Sequence, residues 1–118
     1  MKIKVSTATK ATLDWLVAKC EAVCLETDAF GLAPIIASPA FTRRFKPSTN
    51  WAQGGPIIER EKIDIFHQDN GFSGAIEMAT RKNPHPTPYY GETDLVAAMR
   101  TYVASKLGEE VDVPEELT

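Results

Sequence analysis

The chain has 118 residues, 43% of them hydrophobic and 25% charged, with a formal net charge of −3. This is ordinary globular composition for one domain, long enough to bury a core without staples and too apolar for wholesale disorder. The mildly acidic balance disfavours a dedicated nucleic-acid coat, whose affinity comes from Lys and Arg releasing counterions, and no run approaches the roughly 20 apolar residues of a membrane span.

Residues 2–5 alternate, with Ile3 and Val5 facing one way and Lys2 and Lys4 the other, which predicts a strand. The polar run 6–10 that follows is not the apolar core of a secretory signal, so the protein is expected in the cytoplasm. Leu13, Leu16, Val17, Cys20, Val23 and Cys24 then recur at three- and four-residue steps, the stripe of an amphipathic helix that Ser6, Thr7 or Thr9 would cap. Cys20 and Cys24 lie one turn apart, a spacing that seldom reaches disulfide geometry, so two reduced, mostly buried thiols are expected.

From Glu26 to Ser48 the periodicity dissolves among Gly31, Pro34, Pro39 and Pro47. So long an irregular stretch points to a functional loop or a hidden short strand, expected at Phe41 to Phe45 with Arg43 and Lys46 outward. Ser48, Thr49 and Asn50 are N-cap candidates before Trp51. Two glycines and a proline make the first part of 51–61 read as irregular, leaving a short helix over residues 56–61 with Pro56 in its first turn. Ile63 to Phe66 and residues 74–79 read as a hairpin around Asp69-Asn70-Gly71, and residues 80–91, with three prolines, as a second long loop. Leu95, Met99, Tyr102, Val103 and Leu107 define a final helix, capped by Thr93 or Asp94 and ended by Gly108.

The fold class is therefore α+β: two main helices packed on one face of a small antiparallel sheet, with long Pro/Gly-rich loops. Residues 1–108 are expected to form a single domain. Residues 109–118, five of them acidic, make a tail that frays or pairs through Val111 and Val113.

The segment from Asn50 to Glu61 is the most informative for function. Paired glycines, Gly54 and Gly55, let backbone approach a ligand closely, and a helix start offers amides to an anion. Trp51 supplies a stacking face, and Asn50 and Gln53 supply amide groups. The structural alternative makes Trp51 a core anchor and the glycines a tight turn, and a glycine pair lacks the specificity of a complete phosphate loop. Glu59, Arg60 and Glu61 read as a solvated face, because nothing pushes the two carboxylates toward different pKa values. Cys20, Cys24, His67 and His85 have zinc-ligand side chains, but the histidines are eighteen apart, outside the spacing of structural zinc sites. No G-x-S-x-G or equivalent supplies a nucleophile with a base. Arg43, Arg44 and Lys46, and separately Arg81 and Lys82, cluster with Phe41, Phe45, Tyr89 and Tyr90; such mixtures bind bases and phosphates, or else form a solvated loop surface.

The run Ser48-Thr49-Asn50-Trp51-Ala52-Gln53-Gly54-Gly55-Pro56-Ile57-Ile58-Glu59-Arg60-Glu61 resembles the hallmark of the NinX-like family of small proteins from lambda-type bacteriophages. The opening, with Leu13-Asp14-Trp15 and Val17-Ala18-Lys19-Cys20-Glu21, is similar to that family's. So is the close, Leu95-Val96-Ala97-Ala98-Met99-Arg100 through Tyr102-Val103-Ala104-Ser105-Lys106 and Gly108. Before the last helix family members commonly read Gly-Pro-Thr-Pro where this chain has Gly91-Glu92-Thr93-Asp94. The resemblance implies a phage accessory protein and assigns no activity; small phage proteins of this kind often act by binding, including those that block or sequester parts of host defence.

The leading expectation is a non-enzymatic protein that sequesters a small nucleotide-type ligand, using Asn50, Trp51, Gln53, Gly54, Gly55 and Glu59 with Arg43, Arg44 and Tyr90, and needing no cofactor. A homo-oligomer would deepen the pocket by sharing an interface. The competing expectation is a protein-interaction module that modulates a host or phage enzyme in replication or recombination, with Trp51 as its hot spot. A hydrolase using Glu59 and Glu61 is the least supported.

Overall fold

A computed structural model describes residues 1–21, 25–27, 34–36 and 45–113. The chain opens with β1 (Lys2–Lys4), a 3-10 turn (Val5–Thr7) and α1 (Lys10–Cys20). It continues through β2 (Leu25–Thr27), β3 (Pro34–Ile36), α2 (Trp51–Glu61), β4 (Ile63–His67), β5 (Ser73–Glu77) and β6 (Tyr89–Gly91). The described part closes with α3 (Asp94–Leu107) and β7 (Glu110–Asp112). Among the described residues, three helices and antiparallel sheets make an α+β protein, as the pattern predicted.

α3 is the axis of the fold. Leu95 to Met99 and Thr101 to Val103 are all buried, so this helix is apolar nearly all round and must be covered on several sides. It packs against α1, α2 and the sheet β4-β5-β6. Small residues at Ala97 and Ala98 allow close approach, and the Thr101 hydroxyl donates to the Ala75 carbonyl at 2.9 Å, tying helix to sheet. The start is capped as expected: Thr93 Oγ1 accepts from the Val96 amide at 3.2 Å. Gly108, at φ 91°, ends the helix.

β4 and β5 pair in register from Ile63↔Glu77 to His67↔Ser73, around a turn in which Gly71 takes φ 86°. β6 adds Tyr89↔Ala75 to Gly91↔Ser73, so the loop expected over 80–91 ends in a strand. No alternation announces it, because only three residues pair. β1 and β7 form a separate clasp in which Lys2 faces Asp112 and Lys4 faces Glu110, cross-strand opposite charges. Val111 and Val113 are buried beneath it.

The first helix closes at Cys20, with Glu21 as its C-cap; Val23 and Cys24, expected to continue its stripe, lie outside the described residues. One sequence expectation is corrected: α2 begins at Trp51, not near Pro56. Its apparent breakers are tolerated for separate reasons. A Cβ at Gly54 would overlap the Pro47 carbonyl and lie 2.7 Å from Leu95 Cδ2, so only glycine fits there. Gly55, before Pro56, carries no Cβ to meet the proline ring. Ala52 and Pro56 are both exposed, so the carbonyl that Pro56 cannot serve lies on the solvent side.

The strand expected over Phe41 to Phe45 lies, except for buried Phe45, outside the described residues. A hairpin the sequence did not announce, β2 with β3, pairs Leu25↔Ile36, Glu26↔Ile35 and Thr27↔Pro34.

Candidate functional site

The starts of all three helices come together. Lys10 opens α1, Ser48, Thr49 and Trp51 lead into α2, and Thr93, Asp94 and Leu95 open α3. Between them lies a recess of about 430 Å³ lined by these seven residues. Helix starts carry amides with no partner inside the helix and the positive end of the dipole, so three of them around one hollow bias it toward negative charge.

The wall before α2 is held from below. Asp14 on α1 is buried, and its Oδ1 accepts the Ser48 amide at 2.9 Å. Burial pushes the Asp14 carboxyl up to about 6, against the lowering effect of its hydrogen bonds to Ser48 and the charge of Lys46. Asn50 is the N-cap of α2, its side-chain oxygen accepting from the Ala52 amide at 2.9 Å. Gln53 Oε1 accepts from the Lys46 amide at 2.5 Å and fixes the turn from outside.

Of the residues expected to bind, Trp51 borders the recess and is 55% exposed. Asn50 and Gln53 stand next to it and hold the turn. Gly54 is filled by Pro47 and Leu95, and a Cβ on Gly55 would stand in ordinary contact with Trp51 Cε3 at 3.7 Å. Glu59 is exposed on α2 and does not line the recess. Tyr90 lies elsewhere, on β6, where its ring meets Phe66 edge-on at 6.1 Å between centroids. Arg43 and Arg44 lie outside the described residues. Lys10, Thr93, Asp94 and Leu95 were not singled out as binding residues; the signal that could have found them was their position at helix starts.

Asp94 also reaches the sheet. Its Oδ1 accepts from Ser73 Oγ at 2.5 Å and stands 3.0 Å from His67 Nε2. The carboxylate therefore sits between the serine and the imidazole. A nucleophile needs the reverse order, with the base on the hydroxyl, and this arrangement gives Ser73 no imidazole base.

A second cluster joins the far ends of α1 and α2 to α3. Arg60 grips Glu21 with Nη1 at 3.0 Å and Nη2 at 2.6 Å, and reaches Glu61 through Nε at 2.9 Å. Glu61 also pairs with Lys106 at 3.1 Å, and the Tyr102 hydroxyl donates to Glu21. The Arg60 hydrogen bonds hold both the Glu21 and Glu61 carboxyls below the usual carboxylate range. The trio 59–61 is thus not simply a solvated face: Arg60 and Glu61 are tied into an ion-pair network while Glu59 stays exposed. Glu61 stays ionised and paired, which suits a structural tie rather than proton transfer. Burial, and next the Glu21 charge, push the Cys20 thiol up to about 11, so it stays protonated and weakly nucleophilic. Among the described residues no group of three or more His, Cys, Asp or Glu is placed to hold a metal ion, and no helix is long and apolar enough to cross a membrane.

No curated protein matches the chain. A family model does match, and it covers the three helix starts and the exposed indole, leaving out residues 1–3 and everything from Leu107, the last residue of α3, onward. Its match runs over residues 4–106 and its description is bacteriophage P22, NinX; this chain belongs to that phage protein family.

Proposed function

We propose that this phage protein is an accessory factor that binds and withholds a small nucleotide-type ligand at the recess between the helix starts. The observation that carries the proposal is the exposed Trp51 indole on the wall of a hollow bounded by the first residues of three helices. An indole left in water at such a place offers a stacking face for a base, worth about 1–3 kcal/mol by alanine substitution. Lys10 and the helix starts suit a phosphate, the Thr49 and Thr93 hydroxyls add adaptable hydrogen bonds, and the Asp94 carboxylate suits sugar hydroxyls. Holding a ligand needs enclosing contacts and no reacting group. Full enclosure calls for a second copy over the exposed indole, so the binding unit is a homo-oligomer. In a phage protein working in the host cytoplasm, a host immune signalling nucleotide is the fitting target, and its removal would be an anti-defence activity.

Calorimetry with a nucleotide panel, including cyclic ADP-ribose isomers and cyclic dinucleotides, tests the proposal. Heat is expected from at least one member, with affinity falling tenfold or more in Trp51→Ala, about 1.4 kcal/mol. The ligand should be recovered chemically unchanged. Silence across the panel removes the proposal.

A second reading has its own observation. Phe66, Tyr90, Phe72 and Met78 are all exposed, and Phe66, Gly74 and Tyr90 stand in register across the three strands. An uncovered aromatic sheet face of this kind suits a protein partner, through which the chain would modulate a host or phage enzyme. Pull-down from infected-cell lysate with wild type and Phe66→Ser separates the two: a stoichiometric partner lost in Phe66→Ser but kept in Trp51→Ala favours this second reading.

A further inference from the structure

A second hollow adjoins the first. It holds about 610 Å³, and it is bounded by residues 7–11 leading into α1, by Glu92 just before α3, and by Val96 and Arg100 on α3. Lys10 belongs to both linings. The first turn of α3 forms the ridge between them, with Thr93 to Leu95 on one side and Glu92 and Val96 on the other.

Arg100 is the unusual group here. Its Nη1 donates to the Tyr90 carbonyl at 2.6 Å and its Nη2 to the Ala8 carbonyl at 2.8 Å. Its Nε is buried and has no hydrogen-bond partner. Among the described residues no carboxylate forms an ion pair with it, in contrast to Arg60, which has two. Burial lowers its pKa from the usual arginine value, and the charge of Glu92 only partly offsets this. A half-buried guanidinium whose hydrogen bonds go only to carbonyls gains when an anion arrives, because the countercharge repays its lost hydration. α1 adds to this: its N-cap residue Thr9, unlike Asn50 of α2 and Thr93 of α3, makes no side-chain capping hydrogen bond.

We infer that this second hollow receives the phosphate end of the ligand whose base stacks on Trp51, with Lys10 and Arg100 supplying the countercharge. The inference rests on the nucleotide reading and deepens it, since it gives the two ends of the ligand separate seats. The two hollows are each of the size that ligand pockets have. Glu92 is the acidic residue on this rim, and its charge opposes an anion; removing that charge should therefore strengthen binding rather than weaken it.

The test uses sodium pyrophosphate as the probe with the full chain at low salt, followed by amide chemical shifts. Shifts at Lys10, Ala11 and the Arg100 Nε–H are expected, saturating within about 10 mM, the weak regime of one small polar ligand. Arg100→Gln should lose affinity about tenfold and Arg100→Lys about threefold, because lysine keeps the charge without the fork. Since Arg100 also ties α3 to Tyr90 and Ala8, Lys10→Gln and Glu92→Gln, both at exposed positions, keep the test decisive. The first should weaken and the second strengthen pyrophosphate binding, each by about two- to fivefold. No shifts, or shifts whose affinity ignores both charge changes, overturn the inference. Pyrophosphate binding without any nucleotide binding leaves this seat standing and removes the Trp51 reading. Nucleotide binding lost in Trp51→Ala with pyrophosphate silent does the opposite.

Discussion

Asp14 shows what a sequence pattern conceals at the scale of one residue. It sits inside the apolar stripe of the first helix, between Leu13 and Leu16, and periodicity counts it as a polar interruption. Its purpose appears only with Ser48, 34 residues away, whose amide it holds. Burial raises its carboxyl from 3.8 to about 6, so between those values the folded chain binds more protons than the unfolded one. The contribution to stability is therefore full below about 4 and lost as pH rises through 6, by about 3 kcal/mol at most. Urea midpoints at pH 5 and pH 7.5 should show wild type losing stability with rising pH, and Asp14→Asn should flatten that dependence. Equal slopes in both proteins would count against it. Lys62 is a second such residue, holding φ 57° at the C-cap of α2 where glycine is the unstrained choice. Lys62→Gly should raise stability by about 1 kcal/mol in the same urea assay, whereas a loss would show that the side chain matters more than the backbone.

At the scale of elements, α2 was only half legible and the hairpin β4-β5 among the most legible. The hairpin follows local signals: alternation, and a turn sequence whose glycine takes positive φ. α2 contains Gly54, Gly55 and Pro56 within its first six residues, and every local rule marks that as a break. What overrides propensity is tertiary: Gly54 is pressed against Pro47 and Leu95, contacts invisible to a window of neighbouring residues. The candidate site shared this fate. Trp51 was legible as a stacking group, but the recess beside it is made from the starts of α1 and α3, which no local pattern joins. Gly54→Ala should therefore cost about 2–3 kcal/mol by overpacking, although alanine is the better helix former. Gly55→Ala, whose new methyl finds ordinary contact, should stay within about 0.5 kcal/mol. Thermal melts of the two variants decide it, and equal effects would mean that α2 lacks this close contact with the turn before it.

For the whole molecule, the central place of α3 was only half written in its sequence. The stripe Leu95, Met99, Tyr102, Val103 and Leu107 predicted one buried face, yet Ala97, Ala98 and Thr101 are buried too, while Leu107 is 38% exposed. The reason lies beyond the helix. α1, α2 and the sheet cover its sides, and past Gly108 the chain turns back so that β7 can close on β1. That clasp joins positions more than a hundred residues apart, with the Val113 amide donating to the Met1 carbonyl at 2.9 Å and the Val5 amide to the Glu109 carbonyl at 2.8 Å. Of the acidic stretch expected to fray or pair, residues 110–112 pair, through Val111 opposite Ile3 and with lysines facing the carboxylates, while residues 114–118 lie outside the described residues. If the clasp belongs to the cooperative core, burial and not hydropathy sets the cost of trimming a side chain on either side of Gly108. Val111→Ala should then cost about 2 kcal/mol, from two buried methyl groups and the space they leave. Leu107→Ala, though it removes more carbon, should cost less than about 1 kcal/mol. The order of the two urea midpoints is the measurement; if Leu107→Ala proves the more damaging, β7 opens before the rest unfolds, and residues 109–113 would be a tail laid on the domain rather than part of it.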